Sequence, residues 1–204
     1  MSKTYKAALL EAMQEAMEHN PHSLIIGQGV TDFKGIFDTI KGFVDRYPNR
    51  IIETPLSEDS VAGICIGAAL NGAYPINTHI RADFGLLIFN QLINLAAKYK
   101  YMFGGLFEIP SMYRMVIGRS WGQGAQHSQS LQSLMAHIPG LLVIMPSDPK
   151  SILQSYKCAM NEYKGPVVML EHRLLYELSF EENNNELSHP LFGSKLEREG
   201  TDLT

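Results

Sequence analysis

Cysteine is scarce in this chain. Only Cys65 and Cys158 occur, far apart and without a C-x-x-C pair. No disulfide framework can be built from them, and reduced thiols in a cytosol-like compartment are expected, hence a cytoplasmic location. Long apolar runs are missing as well, and no stretch approaches the length of a membrane span. The start, Met1-Ser2-Lys3-Thr4, lacks the apolar stretch of a signal peptide. Basic residues are not in excess: 17 Lys and Arg face 21 Asp and Glu, a net charge of −4. That balance argues against a nucleic-acid partner. No internal repeat is visible. His19, His22, His79, His137, His172 and His189 show no metal-ligand spacing and read as surface or packing residues. The glycine-rich stretch before His127 has no G-K-[ST] and no third glycine at dinucleotide spacing, which disfavours a phosphate loop. Charge itself vanishes in one place: after Asp59 no Lys, Arg, Asp or Glu occurs until Arg81.

What is present fits one domain with a sizeable core, with 204 residues of which 45% are hydrophobic and 19% charged. Tyr5, Ala8, Leu9, Ala12, Met13, Ala16 and Met17 recur at helical spacing. Short apolar strands are predicted at 23–27, 51–53, 75–80, 112–117, 141–145 and 166–170. A helix around 36–44, one led by Glu58, a long one marked by Phe84, Leu87, Ile88, Leu92 and Leu95, and two over 128–136 and 149–162 fall between them. This alternation predicts an α/β fold, a mainly parallel sheet of about six strands with helices on both faces. Such sheets bind ligands beyond the carboxyl ends of their strands. Glu58 follows the second strand, and the loop from Gly118 to His127 follows the fourth.

The densest signal runs from Thr54 to Ala69, T-P-L-S-E-D-S-V-A-G-I-C-I-G-A-A. Ser57 stands where an N-cap would, just after Pro55. Gly63 and Gly67 lie four apart, so one helix face is nearly bare and another backbone or a flat ligand can approach it. Cys65, inside this helix, reads as a small buried hydrophobe. Glu58 would sit at the mouth of a dry site, where a carboxyl group resists ionisation and can share a proton with a ligand nitrogen. The plainer alternative is that Glu58 and Asp59 only complement the helix dipole.

The same segment resembles the β subunits of thiamine-diphosphate-dependent 2-oxo acid dehydrogenases, the decarboxylating first components of the pyruvate, branched-chain and acetoin complexes. The matching pieces run from Arg50 through Glu53-Thr54-Pro55-Leu56-Ser57-Glu58 and Ala62-Gly63-Ile64. They continue through Ala96-Ala97-Lys98, Gly104-Gly105, Ala125-Gln126-His127-Ser128-Gln129, Pro139-Gly140-Leu141 and Pro166-Val167-Val168. T-P-x-S-E and A-Q-H-S-Q in this order form a specific pair. The resemblance implies a transketolase-like pyrimidine-binding domain that uses thiamine diphosphate. It makes Glu58 the acid that donates a proton to the ring nitrogen N1′ of the cofactor's aminopyrimidine. It makes His127 a channel residue that assists acyl transfer to a lipoyl arm, although a capping or packing histidine is as consistent with the spacing. It places Phe84 beside the aminopyrimidine, where an apolar core role competes, and puts Gln28 at a cofactor-facing position.

Departures from the family pattern alter the expectation. Gln28 replaces a usual acid, which removes an acidic proton relay between paired sites. Ala82 and Asp83 replace an aromatic and an Asn before Phe84, with His79 and Arg81 nearby, so charge and volume around the pyrimidine pocket differ. A substrate other than pyruvate fits such changes. No G-D-G string occurs, so Mg²⁺ and the diphosphate are expected on a partner α subunit. Further expected partners are other β chains and a lipoyl-bearing acyltransferase. Residues 1–180 read as the pyrimidine-binding domain; residues 181–204 read as a polar linker and the truncated start of a C-terminal transketolase-type domain. Two other readings stay open: a non-catalytic assembly domain of the same fold, and a transketolase-like or deoxyxylulose-phosphate-synthase-like half-enzyme.

Overall fold

The computed structural model describes residues 2–181 and 199–201; the segment read as linker and truncated domain start lies almost wholly outside them. Strand β1 (Ser2–Thr4) leads into helix α1 (Tyr5–His19), capped where Thr4 Oγ1 accepts from Ala7 N at 3.2 Å. Strand β2 (Ser23–Gly27) follows, then the short helices α2 (Gly35–Asp38) and α3 (Phe43–Arg46), and β3 (Ile51–Glu53). Helix α4 (Glu58–Leu70) precedes β4 (Tyr74–His79), and α5 (Tyr99–Met102) precedes β5 (Ser111–Ile117). Helix α6 (Gln132–Ala136), β6 (Leu142–Ile144), α7 (Pro149–Asn161), β7 (Pro166–His172) and β8 (Ser179–Glu181) complete the order.

Six strands form one parallel sheet in the order β3-β2-β4-β5-β7-β6, the architecture expected from the sequence. Strands β1 and β8 pair antiparallel outside it. The period-two alternation of a strand explains the two-sided core. Met112 and Val116 of β5, with Val167 and Met169 of β7, pack against α1 and α7; Tyr113, Met115 and Ile117, with Val168 and Leu170, face α4 and the 82–96 segment. All seven residues that define the apolar stripe of α1 are buried. Helix α7 starts with a capping box in which Asp148 accepts from Ser151 N and Ser151 Oγ accepts from Asp148 N.

Three local expectations need correction. The long helix over 84–95 is instead a tight 3₁₀ turn at Ala82–Ile88 followed by a wide π turn at Asn90–Ala96. A Cβ at Gly85 would come within 2.8 Å of Met115 Sδ, so the segment winds closely where it crosses β5. The helix around 36–44 is two separate short turns, because Ile36, Phe37 and Asp38 have positive φ. Ser57 occupies the N-cap of α4 without making a capping hydrogen bond.

Beneath the sheet lies a buried ionic network built by the same alternation. Arg114 of β5 and Glu171 of β7 share the α1–α7 face and form a two-pronged ion pair, both fully buried. Glu171 also accepts from Tyr156 Oη at 3.0 Å and Tyr176 Oη at 2.5 Å, while Arg114 donates to Thr39 Oγ1 at 2.7 Å. Burial and the Glu171 charge hold both phenols far above their ordinary range.

Candidate active site

The carboxyl ends of β2, β3 and β4 come together around a small cleft. Gly27, Gln28, Thr54, Glu58, Val61, Asn77, Thr78, His79, Ile80 and Phe84 enclose about 20 Å³ there. Gly27 is demanded by geometry, since a Cβ would stand 2.6 Å from Thr78 O on the neighbouring strand. Glu53, at the end of β3, accepts from Gly29 N at 2.6 Å, Thr31 N at 3.0 Å and Thr31 Oγ1 at 2.9 Å. That bracing fixes the turn carrying Gln28, whose Nε2 donates to Pro55 O at 3.3 Å.

Glu58 opens α4 at the cleft mouth and is half-buried. Its carboxylate makes no side-chain hydrogen bond among the described residues. The dry, closed surroundings expected for it are not built by the described residues. Phe84 lines the same cleft, and its ring meets the His127 ring edge-on, with centroids 5.3 Å apart and planes at 83°. The A-Q-H-S-Q segment is held in two more ways, by the 81–84 segment and by the end of β5. Asp83 Oδ1 accepts from Gln129 N at 3.1 Å, and Gly118 passes so close to His127 O that a Cβ would overlap it. Glu58, Phe84 and Gln28 therefore share one cleft, and His127 stands against its aromatic wall.

The sequence carries no signal for Asn77 or Thr78, and His79, expected near the pocket as a surface or packing histidine, lines the cleft with them. Asn77 Nδ2 donates to Ile26 O at 3.2 Å, which leaves its Oδ1 to accept from His79 Nε2 at 2.8 Å. The hydrogen of a neutral His79 thus sits on Nε2. Burial lowers its pKa to about 4, so the ring is neutral at physiological pH. A lone histidine in a strand carries no spacing signal; only its place at the carboxyl end of a strand marks it. Cys65 behaves as expected, buried and with its thiol pushed up to about 12 by burial.

The arrangement sets a carboxylate, an aromatic face and a neutral imidazole around an opening on one side of α4. A flat heterocycle that offers a ring nitrogen to Glu58 and a face to Phe84 fits that donor set. Among the described residues no group of three or more His, Cys, Asp or Glu converges as a metal site, and no helix is long and apolar enough to cross a membrane.

Comparison with known proteins decides the family. Residues 1–179 match the model of the transketolase pyrimidine-binding domain. The chain belongs to that family. It is 35% identical over 98% of its length to pyruvate dehydrogenase E1 component subunit beta-2, mitochondrial, from Oryza sativa subsp. japonica, covering 54% of that protein. It is equally similar to the mitochondrial E1 beta subunits of Bos taurus and Saccharomyces cerevisiae, covering 57% and 56% of them. The chain thus spans about half the length of the curated relatives it matches. The fold is shared with a solved chain titled "Split gene transketolase, inactive beta4 tetramer", at a TM-score of 0.64 and 20% identity, over 81% of this chain and 50% of that one. The named relatives are mitochondrial and lend no support to a cytoplasmic location.

Proposed function

We propose that this transketolase-type domain is the pyrimidine-binding part of the β subunit of a thiamine-diphosphate-dependent 2-oxo acid dehydrogenase. The observation that carries the reading is the convergence of Glu58, Phe84 and Gln28 on one cleft, with His127 against Phe84. Glu58 holds and places the proton shared with the pyrimidine ring nitrogen, Phe84 packs on the ring, and Gln28 closes the cleft beside Pro55. When bound, the cofactor supplies the electron sink for cleaving the bond next to a 2-oxo group. His127 stands where it can exchange a proton with substrate or with an acyl-accepting lipoyl arm.

The diphosphate and Mg²⁺ belong, in this reading, to an α subunit, since this chain offers no G-D-G string. Ile64, Leu70 and Leu87 are exposed on and beside the bare face of α4. A Cβ at Gly67 would meet nothing within 4 Å. That open apolar face is where the α subunit or another β chain would pack.

The test is Glu58→Gln in the assembled enzyme. Turnover is expected to fall about 10²- to 10⁴-fold while the fold stays intact. Near-normal activity would remove Glu58 from the role.

A further inference from the structure

A second cluster lies on the same rim and is not used by the pyrimidine cleft. Arg81 follows β4, Arg119 follows β5 and Arg173 follows β7, three strand ends that are neighbours in the sheet. Arg81 Cζ lies 4.4 Å from the centroid of the Trp121 ring and Arg173 Cζ lies 4.8 Å from it. The two guanidinium groups can be no further apart than those distances together allow. Arg81 is 8% exposed, and its Nε and Nη1 hydrogens are buried without acceptors, as is Arg173 Nε. Burial lowers the Arg81 pKa; Asp83 opposes that effect and Arg173 adds to it. Asp83 is the acid nearest in effect; its Oδ1 is engaged by Gln129 N, and its buried Oδ2 makes no hydrogen bond to Arg81 or to any other described group.

A buried guanidinium with unmet donors beside a second cation is costly, because desolvation and like-charge repulsion add. The Trp121 face offsets part of that cost. An oxyanion would meet the rest, since the arginine fork matches carboxylate and phosphate geometry. The place is held firmly from below. Glu171, two residues before Arg173, and Tyr176, three after it, belong to the buried ionic network, and Arg173 Cζ lies 5.0 Å from the Tyr176 ring centroid. It is open from above: Trp121 is half-buried, and Arg119, Ser120 and Gly122 are exposed. It also adjoins the cleft, because Arg81 O accepts from Phe84 N at 3.0 Å.

We infer that Arg81, Arg173 and Trp121 form a subsite for an oxyanion, a carboxylate or phosphate group carried by a reactant at the neighbouring cleft. The reactant so recognised is anionic at its far end as well as at its reacting end. The link to a reactant rests on the proposed function; the anion subsite itself does not.

Trp121 is the chain's one tryptophan, so its fluorescence reports the site directly. The full chain is titrated with inorganic phosphate and, separately, with succinate, against chloride at matched ionic strength. A saturable change with phosphate, succinate or both supports the subsite, and the stronger ligand tells a phosphoryl from a carboxylate group. Arg81→Gln should weaken the response about tenfold or more. If circular dichroism shows that variant unfolded, Arg173→Gln, at a partly exposed position, carries the same expectation. No saturation beyond the chloride control, or an unchanged response in the folded arginine variant, overturns the proposal. Glu58→Gln should leave the response intact, so a lost anion response and a wrongly assigned Glu58 give different results.

Discussion

Glu171 beneath the sheet and Glu58 at its rim meet opposite environments. Glu171 is fully buried, paired to Arg114 and hydrogen-bonded to Tyr156 and Tyr176. Glu58 is half-buried and makes no side-chain hydrogen bond among the described residues. Every lone pair of the first is committed within the chain, so its work is structural. The second is left uncommitted by the described residues. The same contrast divides the histidines: His79 is fixed by Asn77, whereas His127 touches the cleft only through a ring edge.

The largest effect expected from this contrast falls on Glu171. Glu171→Leu leaves Arg114 charged and buried without its partner, a loss of about 3–5 kcal/mol in unfolding free energy. The double change Arg114→Met with Glu171→Leu should recover much of it, since no lone charge remains. Urea unfolding of the three chains measures both. A single-variant loss below about 1 kcal/mol would place Glu171 with the uncommitted groups.

His79 sharpens the comparison, because it belongs to the rim yet is held like the core. The folded chain keeps it neutral down to about pH 4, whereas the unfolded chain takes up its proton near the ordinary 6.5. Its folded pKa is depressed, so stability present above pH 6.5 is lost as pH falls toward 4. The loss reaches about 3 kcal/mol. His79→Gln should flatten that part of the profile in unfolding measured between pH 4 and 7. An unchanged slope would mean that other groups carry the acid sensitivity.

The parts of this contrast that were legible in the sequence share one physical cause. Strands buried on both faces are short apolar runs, which makes β2, β5 and β7 legible within a residue or two, and the half-buried edge strands β3 and β6 carry the same short apolar signal. The stripe of α1 follows from the 3.6-residue period alone. The 82–96 segment misled because a 3₁₀ turn followed by a π turn keeps nearly the average spacing of an α-helix. Side chains that meet across strand ends left no local trace. Arg81, Trp121 and Arg173 come from three separate loops, and Arg114 and Glu171 from the middle of one strand and the end of another. The resemblance points to Glu58, Phe84 and His127; Glu58 and Phe84 line one cleft, and His127 stands against the Phe84 ring.

A uncommitted His127 should be felt in chemistry rather than in folding. On the proposed function, His127→Ala in the assembled enzyme should cut flux to a lipoyl domain about 10²-fold, with a smaller loss when a soluble one-electron oxidant accepts the electrons. Unfolding free energy should move by less than about 1 kcal/mol. Equal losses with both acceptors, or none with either, would return His127 to a packing role.

The smallest effect belongs to the open face of α4. A methyl group at Gly67 meets nothing within 4 Å in this chain, and Gly67 lies inside the helix with no positive φ. Gly67→Ala should therefore stabilise the lone chain by about 0.5–1 kcal/mol, through the lower conformational entropy of the unfolded state. In an assembly where another chain's backbone lies against that face, the same methyl group overlaps its neighbour and association weakens. Thermal unfolding of the lone chain and sedimentation of the complex separate the two effects. A gain in both would show that the face stays open to solvent, and the surface left uncommitted by this chain would then be confined to Glu58 and its cleft.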